Sequence, residues 1–404
     1  MKAYQILLLI LILSLVGCSP IQPEPVLTVT PIPADTFQPA ATPEPSPIST
    51  PTIEPTDPAS NLQVFSNDNQ TYIGQFDWDV SALRWAQDGK TLLIGPQNRK
   101  LYIYDVVNKK ITTTLIGDPL ASPLVLGPGE KTIALILCND VDYHIGDFCQ
   151  TQDFSLYLVN LETNNIIKTF HITDKADAQN LIGSGWLIFS PDGKLLIAAS
   201  SRQISLWDLA GNKTIKVLFQ VDPKLVLHQS GWEISAVTLS PDGKWLIGAH
   251  SPDGSAKKTF MVWDTSTWKL QRTFSGGSLG SDFSLTFSPD GTRFTTSGGS
   301  EIHEPGTWDL KTGKLLYNLG PQRWVYTIAY DPSGKYFAAG GTGGGVGINK
   351  VTIYDANTGK PVRELLSQDF AISILAFSPD GTELAAGGGS DRPGGVIIWD
   401  LTQP

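Results

Sequence analysis

A tight turn written Ser-Pro-Asp-Gly returns along this chain, and each copy is followed by an apolar run that ends in an aromatic or aliphatic residue plus Asp or Asn. Clean copies end at Pro191-Asp192-Gly193, Pro241-Asp242-Gly243, Pro289-Asp290-Gly291 and Pro379-Asp380-Gly381. Degenerate copies are Asp88-Gly89, Gly127-Pro128-Gly129 and Pro332-Ser333-Gly334. The seven turns are spaced by 40, 64, 50, 48, 43 and 47 residues. The pairs downstream are Tyr104-Asp105, Val159-Asn160, Trp207-Asp208, Trp263-Asp264, Trp308-Asp309, Tyr354-Asp355 and Trp399-Asp400. A period of this size requires a repeat architecture in which each unit buries its apolar faces against its neighbours.

Residues 185 to 219 show the unit most clearly. Gly185 to Ser190 reads as a strand, and Pro191-Asp192-Gly193 as the turn that follows it. Proline presets one dihedral there, Asp caps the backbone and Gly accepts positive φ. Leu195 to Ala199 is then a short apolar strand expected to be buried on both faces, and Gln203 to Asp208 is a third strand. Lys213 to Phe219 alternates polar with apolar residues, as an outer edge does. Equivalent outer strands are expected at Lys110 to Leu115, Ile166 to Phe170, Leu270 to Phe274, Leu315 to Leu319 and Val362 to Leu366. The last unit stops after its third strand, whereas Thr71 to Phe76 reads as an outer strand with no unit before it. Placing one beside the other removes both sheet edges at the seam.

On these turns and endings the chain resembles the bacterial WD40-repeat β-propeller lipoproteins over residues 61 to 404. The resemblance implies an all-β fold: a seven-bladed propeller of four-stranded antiparallel blades, closed by the outer strand at about 71–76, which completes the C-terminal blade. A six-bladed ring of the Tol type also uses Pro-Asp-Gly turns, but the seven-fold count and the Trp-Asp endings speak against it. The chain departs from the family in lacking the Gly-His before each inner strand and, mostly, the Asp before the third strand. The polar network those groups build is therefore expected to be largely lost, leaving packing to hold the blades.

The N-terminus reads as an export signal. Lys2, an apolar run from Ile6 to Leu13 and Leu15-Val16-Gly17-Cys18 resemble a lipoprotein signal of residues 1–17, cleaved before a lipidated Cys18. The run is shorter than the ~20 residues a membrane-spanning helix needs. Acyl chains bury methylenes at about 0.8 kcal/mol each, so two or more would hold the chain on a membrane. Residues 18–60 are rich in Pro, Thr, Ser and Glu, with Phe37 as the sole aromatic. Such a composition predicts a disordered stalk of about 40 residues, which at about 3.1 Å per residue reaches on the order of 100 Å.

Cys138 and Cys149 are candidates for a disulfide flanking an insertion in the second unit, in keeping with an exported chain. On the chain-entropy model such a bridge contributes about 3 kcal/mol. Within that insertion Asp140, Asp142 and Asp147 offer a weak calcium-like set of oxygen donors, but they match no EF-hand register, and a solvated acidic loop is the plainer reading. The five histidines are scattered without metal spacing, and the run Gly340 to Gly347 lacks the Lys-Ser/Thr of a phosphate cradle. No catalytic residues, metal or cofactor are assigned. A net charge of −10 argues against nucleic acid as a partner.

Aligning the units on their turns places an aromatic residue near the start of most inner strands: Trp78, Trp186, Trp232, Phe283, Trp324 and Phe370. Exposed at the rim of a propeller channel, these rings would anchor a peptide or stack on sugars, with Asp77, Asp79, Glu233, Asp282, Arg323 and Asp369 nearby. Packed between blades, they would be core. The function expected from the resemblance is a non-enzymatic, monomeric scaffold, lipid-anchored on the extracytoplasmic side, that docks a protein or peptide. Carbohydrate recognition at the cell surface and a glycan-active enzyme of propeller fold are the alternatives.

Overall fold

A computed structural model describes residues 55–56, 63–66, 69–76, 79–96, 100–116, 125–126, 132–138, 154–160, 163, 165–172, 184–200, 202–221, 234–251, 257–278, 284–298, 305–319, 325–341, 349–367, 370–389 and 394–403. These residues form seven antiparallel sheets, and no helix occurs among them. The third blade shows the order: Ser184–Phe189 innermost, then Leu195–Ser200, Gln203–Asp208 and Lys213–Gln220 outermost. From the second blade round to the first, each inner strand contacts the inner strand of the next.

The seam closes as the repeat count predicts. Gln70–Phe76 pairs antiparallel with Gly394–Asp400, so the seventh blade is built from both ends of the repeat region. Two further pairings were not anticipated. Gln63–Ser66 adds a fifth strand to that blade, and Pro55–Thr56, inside the stretch read as a stalk, pairs with Lys110–Ile116 on the first blade.

The core is divided among the joints of the ring. Among the described residues seven apolar clusters occur, the buried members of each coming from two consecutive blades. The aromatic or aliphatic residue before each terminal Asp always faces the preceding blade. Trp207 joins the cluster shared with the second blade, Trp263 that with the third, and Tyr104 that with the seventh across the seam. Ring contacts tighten these joints: Trp207 meets Phe170 edge-on at 5.6 Å, and Trp308 meets Phe260 at 5.5 Å. Second strands are short and buried on both faces because a blade lies on each side, as Leu196 to Ala199 show.

The Ser-Pro-Asp-Gly turn is a small hydrogen-bonded unit. Ser190 Oγ donates to Asp192 Oδ1 (2.6 Å) and accepts from Leu195 N (2.9 Å), while Asp192 Oδ1 also accepts from Lys194 N (3.1 Å). Ser240, Ser288 and Ser378 repeat all three bonds with their own Asp. In the sixth blade the roles are exchanged: Asp331 stands first, accepting from Tyr336 N at 2.7 Å and from the Ser333 hydroxyl. In the first blade Ala86 replaces the Ser, and Asp88 Oδ1 takes both Lys90 N and Thr91 N. The turns also stack around the ring. Gly243, at φ +71°, has no room for a Cβ against Pro191, and Gly89 faces Pro379 across the seam.

The polar network is thin, as expected from the missing Gly-His. Among the described residues, the buried Tyr104 hydroxyl and Trp207 Nε1 have no hydrogen-bond partner within the protein. The fifth blade keeps a remnant, in which Trp308 Nε1 donates to Thr296 Oγ1 at 3.4 Å.

Candidate interaction face

Strand direction sorts every connection onto one of two faces. Inner strands run into second strands through five residues in all seven blades: 86–90, 127–131, 190–194, 240–244, 288–292, 331–335 and 378–382. Third strands return to outer strands on the same face through four or five residues. There the Asp of each pair accepts backbone N–H groups two or three positions on, as Asp208 does from Ala210 and Gly211. We call this the turn face. On the opposite face the connections from second to third strand run from two residues (201–202) to fifteen (139–153). The links between blades open there too. This loop face is where the sequence is free to vary without altering the ring.

The inner strands bend at the loop-face end. In the first, third, fourth, sixth and seventh blades the register shifts at the start of the strand, for instance between Ile234 and Ala236 and between Ile372 and Ile374. Bulges of this kind re-aim side chains, and they are enriched at rims and near binding sites. Ser373, at one of them, is exposed.

Of the aromatic residues expected at the rim, Trp78, Trp232, Phe283 and Trp324 lie outside the described residues. The inner strands that follow them do begin at the loop face, at Val80, Ile234, Leu285 and Val325. Phe370 requires a correction: it is 2% exposed and offers no free ring. Its ring lies 6.4 Å from Tyr72 and occupies the space that a Cβ on Gly395 would take. Trp186 is half-buried and packs against two clusters, the one between the third and fourth blades and the one between the fourth and fifth. Trp207, Trp263, Trp308 and Trp399 are buried core, and Asp208, Asp264, Asp309 and Asp400 cap turns on the opposite face.

Cys18, Cys149, Asp140, Asp142 and Asp147 lie outside the described residues, and Cys138 ends a strand opposite Phe154 in register. Among the described residues no group of three His, Cys, Asp or Glu is arranged to hold a metal ion, and no helix is long and apolar enough to cross a membrane. A Gly-x-Ser-x-Gly string does occur at Gly276-Gly277-Ser278-Leu279-Gly280. Its Ser278 ends the outer strand Lys269–Ser278, and Leu279 and Gly280 lie outside the described residues.

The sequence reading missed Lys258. This lysine is 4% exposed, at the loop-face end of the third strand of the fourth blade, and Ser235 and Ser251 hydrogen-bond it. Burial pushes its amine down to about 8. Nothing in KKTFMVWD distinguishes it from an ordinary strand-end lysine, because its burial is created by two other strands.

Comparison with known proteins supports the repeat reading. One relative, Protein groucho of Drosophila melanogaster, is 30% identical over 151 residues. The aligned region covers 37% of this chain and only 19% of that protein. The family described as WD domain, G-beta repeat matches residues 185–208, 222–264, 313–348 and 359–400, and three of these segments end on a Trp-Asp pair. The chain is thus similar to WD repeats over these four segments, and its described residues form a ring of seven blades.

Proposed function

We propose that this chain is a non-enzymatic scaffold that docks a protein partner on its loop face, held by a lipid on Cys18 at the extracytoplasmic side of a membrane. The observation that carries the docking reading is the contrast between faces. Seven connections of five residues each stand opposite a set running from two to fifteen. Loops that vary on one side of a rigid ring are where binding residues are disproportionately placed. The WD repeat match supports protein binding as the role. The anchor rests on the lipoprotein-like Leu15-Val16-Gly17-Cys18.

Site-specific photocrosslinking tests the docking face. A crosslinker at Ser373 should capture a partner from cell-envelope extract, while one at Lys194, in a turn of the other face, should not. Capture must survive glycan digestion of the extract and fail after proteolysis. Capture lost on glycan digestion would instead favour a carbohydrate ligand. Equal capture from both positions would refute the assignment of the face. For the anchor, Cys18→Ser should move the protein from the membrane to the soluble fraction.

A further inference from the structure

Among the described residues, the fourth blade brings together more hydrogen-bond donors than acceptors. Lys258 Nζ donates to Ser235 Oγ and to Ser251 Oγ, both at 2.6 Å. All three residues are buried, at 4%, 2% and 3% exposure. They come from three strands: Ser235 is the bulge residue of the inner strand, Ser251 follows the second, and Lys258 lies on the third. An ammonium has three N–H groups and no acceptor, so neither serine can donate back to it. One N–H of Lys258 and the hydroxyl protons of both serines therefore remain, and none has an acceptor among the described residues. No described carboxylate forms an ion pair with Nζ, and burial lowers the pKa of the amine. Buried charges ordinarily have a counter-charge, and buried donors ordinarily have acceptors.

We propose that Ser235, Ser251 and Lys258 form a carboxylate-binding subsite at the loop face of the fourth blade. Three donors suit the two oxygens of a carboxylate, and one ammonium neutralises one negative charge. A phosphate or sulfate dianion would bring a second, uncompensated charge into a chain whose net charge is already −10. The carrier of that group, an acidic side chain or chain terminus of the docked protein, rests on the function proposed above. The subsite itself does not, and it is testable with no partner present.

The probe is sodium acetate against sodium chloride at equal ionic strength, on the intact chain. Lysine labelled with carbon-13 and nitrogen-15 reports the titration of the Lys258 amine by NMR, assigned with Lys258→Met. Acetate tenfold above its dissociation constant should raise that pKa by about one unit, because only the charged amine binds. The melting temperature should rise saturably with acetate and lose that response in Lys258→Met. Ser251→Ala, which keeps the charge, should weaken the acetate response about tenfold, the worth of one charge-assisted bond. An acetate response equal to that of chloride, or one that persists in Lys258→Met, overturns the proposal. Tighter binding of inorganic phosphate than of acetate overturns the choice of carboxylate. Loss of partner capture with an intact acetate response would count against the docking face alone.

Discussion

Phe76→Ala tests whether the N-terminal strand is a structural part of the ring or a strap laid on it. Phe76 is 1% exposed in the seam cluster, which joins Val396 and Ile398 of the seventh blade to Val80, Leu83 and Tyr102 of the first. Its ring meets that of Tyr102 edge-on at 5.2 Å. Truncating a buried Phe to Ala costs about 3–5 kcal/mol, the transfer energy of the lost ring plus the cavity left behind. Against a typical total of roughly 5–15 kcal/mol, that is a large fraction of the stability. Val64→Ala, on the added fifth strand and only half-buried, is the control, with an expected cost of about 1 kcal/mol. Urea unfolding followed by tryptophan fluorescence reads both. Hydrogen exchange at Leu196 to Ala199, on the far side of the ring, shows whether the loss is felt there. A closed ring predicts one transition, moved to lower urea, with weakened protection in the third blade. Local fraying of 70–76 with unchanged third-blade protection would refute the closure argument, as would a cost below about 1 kcal/mol.

The remaining predictions concern single groups. Tyr104→Phe should stabilise by about 1 kcal/mol in urea titration, because it removes a buried hydroxyl that has no partner among the described residues. Lys258 holds fewer protons folded than unfolded between its folded pKa of about 8 and the ordinary 10.5. Stability should therefore rise with pH across that window, by roughly 3 kcal/mol in full, and Lys258→Met should flatten the rise. The Asp242 carboxyl works in the opposite sense: the Ser240 hydroxyl leads the interactions that hold it at about 2, so its contribution is present above pH 4 and lost as pH falls towards 2. Ser240→Ala should shrink that acid loss in a pH-resolved melting series. Gly243→Ala should cost about 1 kcal/mol or more in melting experiments, because φ is +71° and Pro191 occupies the space.

The fold was legible because its determinants are local. Ser, Pro, Asp and Gly specify their turn within a few residues, and even the exchanged pair Asp331 and Ser333 makes the same kind of unit. The seven recurring turns, each followed by an aromatic or aliphatic residue before Asp or Asn, gave the number of blades. What depends on distant residues was not legible. Phe370 sits at the position of a rim residue, yet Tyr72 and Gly395 from two other strands turn it into core. Lys258 is hidden by Ser235, 23 residues away, and by Ser251, and single-strand patterning treats any lysine as solvated. Pro55–Thr56 pairs with Leu115 and Thr114 through backbone groups, which composition does not report.

The joints between blades explain why one face could be released for binding. Lys216 Nζ donates to Trp268 O, Arg272 Nη1 to Lys311 O, Tyr317 Oη to Ala356 O and Arg363 Nη1 to Leu401 O. Each bond runs from the outer strand of one blade to the segment after the terminal Asp of the next, from the third blade round to the seventh. Those acceptors lie on the turn face, where the Pro and Gly of neighbouring turns also stack. Among the described residues these clasps and stacked turns lie on the face whose connections hold to four or five residues. A loop-face connection can lengthen from two residues to fifteen without touching any of these clasps, and the entropic cost of a longer loop grows only slowly. The burial of Lys258 among hydroxyls at that face is the opposite kind of feature. It costs stability, unlike the clasps, and a residue retained at such a cost is better explained by what it binds than by what it holds together.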